Sequence, residues 1–192
     1  MFSAEKIGNY ENKEVMRGRG VMCVLTFIED GQEKFVLTSS PEEDFGIFTK
    51  AEKLREKLAF ILVGSEMLSF PGGRVEDGED VGPSVLREIS EELGVELDEL
   101  KLELVDDNLI EITQMSSGND ENDSRRGMTI YEVACFVYEL SLSELIEIEE
   151  EMFQQKRSAA VLSLDEISKL REFEIRPSSL EMVQALQQRS EL

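Results

Sequence analysis

Apolar positions along this chain fall into short runs separated by polar turns, and the runs switch between two periods. Gly20 to Ile28 (GVMCVLTFI) is almost continuously apolar, the pattern of a strand covered on both faces. Glu29-Asp-Gly-Gln has the composition of a hairpin turn, and Lys34 to Thr38 reads as the returning strand. Pro41 to Lys50 is polar and loop-like. Ala51 to Val63 is ambiguous, helical in its first half and strand-like in its second. Met67 to Phe70 reads as a short strand feeding Pro71-Gly72-Gly73. Between Pro83 and Gly94 the apolar residues return at helical spacing. Leu100 to Thr113 has strand character, Gln114 to Gly127 is a polar loop, and Thr129 to Leu140 is a strong strand. Ser143 to Gln155 is acidic, part loop and part helix. Ala159 to Leu162 is a short strand, Leu164 to Leu170 a short helix, and Pro177 to Gln188 a closing helix with Leu180, Val183 and Leu186 along one side. Strands mixed with a few helices predict an α+β or α/β sandwich formed by one domain over residues 1–192.

Composition narrows the class. The 192 residues suffice for one domain with a real core, and 41% hydrophobic against 32% charged is ordinary globular usage. No apolar run approaches the roughly 20 residues of a membrane span, and the first residues lack the layout of a signal peptide. Cys23 and Cys135 both sit in strand-like runs, which predicts buried free thiols in a reducing cytoplasm. There is no His, so His-based catalysis and His-bound zinc are excluded. The net charge of −22 argues against nonspecific nucleic-acid binding, since no basic surface displaces counterions. It leaves small phosphorylated substrates open, because local groups set the potential at a site.

The chemistry concentrates in Gly73 to Val95, GRVEDGEDVGPSVLREISEELGV. Pro83 suits a first helical turn and Gly94 a helix stop. At about 100° per residue, Glu88, Glu91 and Glu92 share one face of the helix between them. Leu86, Ile89 and Leu93 cluster on another face, able to pack on a sheet. Crowded carboxylates repel, and a divalent cation removes the repulsion. Oxygen-only ligands suit Mg²⁺ or Mn²⁺, hard ions that also grip phosphate oxygens. An isolated E-x-x-E-E would read as a solvated acidic face. The added spacing of Gly73, Glu79, Arg87 and Gly94 favours the functional reading.

Every specified position of this segment resembles the signature of the Nudix hydrolases, G-x5-E-x7-R-E-U-x-E-E-x-G-U, where U is a bulky aliphatic residue. The tight match covers 23 residues, and the strand pattern agrees more loosely. The resemblance implies a mixed sheet sandwiched between helices, with the signature on a loop–helix–loop. It implies a MutT-like pyrophosphatase that uses Mg²⁺ or Mn²⁺ to cleave a nucleoside diphosphate linked to another group. In the family, Glu88, Glu91 and Glu92 carry the metal, and a backbone carbonyl of Gly72 or Gly73 adds a ligand. Arg87 is expected to orient Glu88, and Glu79 to pair with Arg87, with structural and catalytic roles equally open for both. The general base lies either in the signature helix, at Glu88, or among Glu147, Glu149, Glu150 and Glu151. Glu150 is taken as the representative of that run.

Substrate choice rests on residues outside the signature. Leu37-Thr38-Ser39-Ser40 and Phe70-Pro71-Gly72-Gly73 faintly resemble the pattern of coenzyme A diphosphatases, but the expected Arg-Ser and the spacing are missing. Arg125 and Arg126 could contact a terminal phosphate, and Tyr10, Phe45 or Phe48 could stack a base. Solvated loop charges and packing are the commoner explanations. The partner expected is a small nucleotide-derived substrate, with no membrane and no nucleic acid; a homodimer is left open. A catalytically silent binding module is the alternative of another class, and retention of every signature glutamate ranks it lower.

Overall fold

In a computed structural model the described residues are 4–10, 13–39, 67–116, 127–155, 157, 159–170 and 174–190. They form strands β1 (Ala4–Tyr10), β2 (Lys13–Glu29), β3 (Gln32–Ser39), β4 (Leu68–Ser69), β5 (Gly72–Arg74), β6 (Glu103–Ser116), β7 (Gly127–Glu139) and β8 (Ala159–Leu162). The helices are α1 (Val81–Leu93), α2 (Leu142–Gln154), α3 (Leu164–Ile167) and α4 (Pro177–Ser190). Pro41 to Lys50, Ala51 to Val63, Phe45, Phe48, Arg125, Arg126 and the side chain of Tyr10 lie outside the described residues.

All eight strands join one mixed sheet. β2 is its spine. It runs parallel to β7 from Glu14↔Gly127 to Thr26↔Glu139, and antiparallel to β1, β5 and β3 in succession along its other edge. The hairpin turn between β2 and β3 closes at Asp30 and Gly31, both at positive φ, which is the two-residue turn the sequence predicts. β5 is therefore a three-residue insert between the segments paired with β1 and β3, opposite Gly20, Val21 and Met22.

The continuous apolar runs follow from burial on both faces. Val21, Cys23, Leu25, Val36, Ala134, Phe136 and Tyr138 point to one core, with Val85, Ile89 and Leu93 of α1 and Leu145, Ile148 and Met152 of α2. Met22, Val24, Phe35, Leu37, Val133 and Cys135 point to the other, with Ile167, Met182 and Val183. The mixed sheet between helices is the fold expected. Cys23 and Cys135 lie on opposite faces, so they remain separate buried thiols, and burial pushes the Cys23 thiol far up.

Several boundaries differ from those expected. β2 starts at Lys13, because the polar stretch before Gly20 pairs with β1, a strand the apolar pattern does not announce. Gln114, Met115 and Ser116 extend β6 rather than opening a loop. Leu100 sits in a 3-10 turn at Glu99–Lys101, held by the Asp98 side chain, ahead of β6. α2 is helical from Leu142 onward because Ser141 and Glu144 form a capping box. In α1 the core stripe is Val85, Ile89 and Leu93; Leu86 is half-buried.

Ile89 is fully buried where α1 meets the sheet. Ile89→Ala should lower unfolding free energy by about 3 kcal/mol. Urea denaturation without added metal checks this, and a loss under about 1 kcal/mol would mean α1 contributes little to this core.

Candidate functional site

Helix geometry grades the acidic residues by burial. Relative to Ile89, Glu92 lies about 60° around α1, Glu88 about 100° and Glu91 about 160°. Glu92 therefore borders the core, Glu88 sits at the rim, and Glu91 faces solvent with its side chain 61% exposed. Burial holds the Glu92 carboxyl up to about 7, offset in part by the Gly72 amide, and burial likewise raises Glu88 against the pull of Arg87.

Arg87 spends all five of its N–H groups inside the cluster. Nε and one terminal nitrogen grip both Glu79 oxygens at 3.2 Å. The other terminal nitrogen donates to Glu88 at 2.8 Å and to Glu91 at 3.3 Å. The last N–H donates to the Arg74 carbonyl at 3.0 Å, which ties the helix to β5. The bidentate contact with Arg87 holds Glu79 down at about 2.

The Gly72–Gly73 turn meets the same face. Gly72 N–H donates to Glu92 Oε2 at 3.3 Å. A β-carbon on Gly73 would fall 2.3 Å from the Glu88 carboxyl carbon, so a side chain there would push that flexible carboxylate aside. At the far end of α1, Gly94 adopts φ 72° and its N–H caps Ser90. The α2 side chains Glu151 and Gln155 crowd it from outside, each 3.2 Å from where a β-carbon would stand. Glu147, Glu149 and Glu150 lie on the exposed side of α2.

Sequence analysis does not single out Arg157. Its guanidinium donates to the Glu92 carbonyl in the last turn of α1 and to the Ser39 carbonyl at the end of β3. Arg157 and Arg176 both act electrostatically on the Glu92 carboxylate. The partners of Arg157 are 65 and 118 residues away in sequence, so no local pattern marks it.

The donor set fits a hard divalent ion: carboxylates, a glycine turn that admits Glu88, and a half-buried Glu92 whose carboxyl is raised by burial. Among the described residues no three acidic groups already stand close enough to share an ion. Glu88 and Glu91 are turned to Arg87 and Glu92 to Gly72, so convergence requires side-chain rotation.

A mixed sheet between helices, with an acidic helix beside a Gly-Gly turn, defines the class. The NUDIX domain family matches residues 16–186, and the chain belongs to it. It is accordingly a hydrolase of phosphoanhydrides, in a family that generally works with a divalent metal. No curated protein sequence matches the chain. Among solved structures it is similar to the NUDIX domain of Shewanella oneidensis NrtR complexed with ADP ribose, at 16% identity and TM-score 0.50, covering 91% of this chain and 88% of that one. It is also similar to the C. elegans Ap4A hydrolase, at 16% identity and TM-score 0.42, over 92% and 98%. A third is the M. smegmatis Nudix hydrolase RenU, at 10% identity and TM-score 0.49, over 91% and 86%. The likeness to the NrtR domain, at this identity, shows the fold alone. Among the described residues no helix is long and apolar enough to cross a membrane.

Two predictions follow from the geometry. Gly73→Ala should displace Glu88 and weaken Mn²⁺ binding by at least roughly tenfold, read by titration with electron paramagnetic resonance, while circular dichroism stays native. Unchanged affinity would separate Glu88 from the metal site. The second concerns pH. Glu92 is raised from 4.5 to about 7 in the folded state, so the native protein binds more protons than the unfolded chain within that interval. Its contribution to metal-free stability is full below about 4.5 and is lost as pH rises through about 7. Glu92→Gln should therefore gain stability relative to wild type across that window. A constant difference in melting temperature between the two proteins would contradict it.

Proposed function

We propose that the protein is a Mg²⁺- or Mn²⁺-dependent diphosphohydrolase that cleaves a nucleoside diphosphate linked to another group. The reading rests on one observation above all: Glu88 is lodged against Gly73, where any β-carbon would collide with it. Glu88, Glu91, Glu92 and a carbonyl of Gly72 or Gly73 would hold the cation. When bound, the cation neutralises phosphate oxygens and lowers the pKa of a coordinated water.

The chain's own residues do the rest. Glu79 fixes Arg87, and Arg87 fixes Glu88 beside the turn. Glu88 is the first candidate for general base, since burial raises its carboxyl above the usual carboxylate range and makes it a better proton acceptor. Glu150, on the exposed side of α2, is the second candidate. Of that acidic run, Glu151 comes nearest α1, beside Gly94. Two buried thiols suit a reducing cytoplasm.

The NrtR domain was solved with ADP ribose, which is reason to test such compounds first. The experiment is a panel of ADP-ribose, nucleotide sugars, dinucleoside polyphosphates, coenzyme A and nucleoside triphosphates, with Mg²⁺ or Mn²⁺. At least one should release a nucleoside monophosphate, chelation should abolish turnover, and Glu91→Gln or Glu92→Gln should cut kcat by roughly 100-fold, about 2.7 kcal/mol. Tight ADP-ribose binding with no turnover of any compound would instead identify a silent binding module. Full activity after exhaustive chelation would overturn the metal mechanism.

A further inference from the structure

The Arg157 side chain ties the last turn of α1 to the end of β3. We propose that Arg157 is a positioning residue for Glu92, fixing the end of the signature helix to the end of β3 so that the Glu92 carboxylate stays aligned with the Gly72–Gly73 turn. The inference rests on the metal-dependent reading above.

A helix leaves its final carbonyls without intrahelical partners. Gly94 N–H satisfies Ser90, and Arg157 satisfies Glu92, whose half-buried carboxylate faces the Gly72 amide. The same guanidinium donates through Nε to the Ser39 carbonyl at 2.7 Å, with a second bond to that oxygen from Nη2. Ser39 is fully buried and ends β3. Arg157 is itself rooted: its backbone N–H donates to Met152 at 2.7 Å, and Met152 is fully buried in α2. Its guanidinium also meets Gln155 Oε1 at 3.1 Å.

Three elements thus converge on one planar fork. The segment after α2 supplies Arg157, the end of β3 supplies Ser39, and the end of α1 receives the hold. A shift of this turn would carry Glu92 away from Gly72, whose N–H it accepts at 3.3 Å. A cation at a helix C-terminus also complements the helix dipole. Lysine would keep the charge but not the fork, so it cannot span both carbonyls in the same geometry.

The test compares wild type, Arg157→Lys and Arg157→Ala, alone and combined with Glu92→Gln. The first readout is Mn²⁺ affinity per folded molecule by electron paramagnetic resonance. The others are kcat and KM on the substrate the panel identifies. Arg157→Ala should weaken Mn²⁺ by about tenfold and lower kcat more than it raises KM. Arg157→Lys should fall between, and guanidinium chloride at non-denaturing concentration should restore part of the Mn²⁺ affinity of Arg157→Ala. In the Glu92→Gln background, Arg157→Ala should cost little more, because the two act through one ligand. A lowered melting temperature with unchanged Mn²⁺ affinity and no guanidinium rescue would overturn the proposal and leave Arg157 a purely structural tie. Wild-type protein that binds no Mn²⁺ would overturn the metal reading itself, and the role of Arg157 with it.

Discussion

Carboxylates gathered on one helix face against a sheet repel one another, and the organisation of this edge of the molecule depends on how Arg87 balances them. One guanidinium touches Glu79, Glu88, Glu91 and the Arg74 carbonyl, with no N–H left over. Isolated ion pairs at a surface contribute little. Here the pairs share a rigid fork, and three of the four side chains are no more than 27% exposed. The fork therefore joins the loop at Glu79, the helix at Glu88 and the strand at Arg74 into one unit.

The sheet makes that unit possible. β5 pairs with β2 opposite Gly20 to Met22, which brings Gly73 under α1. α1 is pressed down by Val85, Ile89 and Leu93 into the core shared with α2. Pressing the helix onto the sheet forces Glu88 toward the turn, and glycine at position 73 is what accommodates it. The same packing draws Glu92 toward the core, where its charge is expensive. Stability and site are thus set by one orientation of one helix.

Much of this is written locally. Hydrophobic period gave the run around Val21 to Leu25, the return at β3, the strand β7 and the short strand β8, because each is covered on one or both faces. The signature helix was legible for the same reason, together with its Gly94 stop. Two kinds of feature were not. Polar edge pairing, as between Glu5 and Arg17 in β1 and β2, leaves no apolar trace. Contacts distant in sequence, such as Arg157 with Ser39, depend on how the sheet is ordered, which no local window contains. Val85 rather than Leu86 joins the core stripe because the sheet fixes the rotation of α1, whereas the helical period alone admits either. The capping box at Ser141 and Glu144 explains why α2 begins ahead of Ser143.

The committed state of Arg87 bears directly on how a diphosphate could be received. An arginine with every N–H engaged has no donor to offer phosphate oxygens. Glu79, Glu88 and Glu91 against one guanidinium leave two net negative charges, before any contribution from Glu92. Arg157 is engaged with backbone carbonyls at the far side of Glu92. A polyanion approaching the Gly72–Gly73 turn would therefore meet repulsion in a partly desolvated setting, where charge interactions are stronger than in water. Positive charge brought with the reaction would offset that repulsion. A divalent ion held by these carboxylates would supply such charge, and it would relieve the crowding that Arg87 alone only partly offsets. The overall acidity of the chain is then no obstacle to a phosphorylated substrate, because a bound cation would set the potential at the site more than the total charge does.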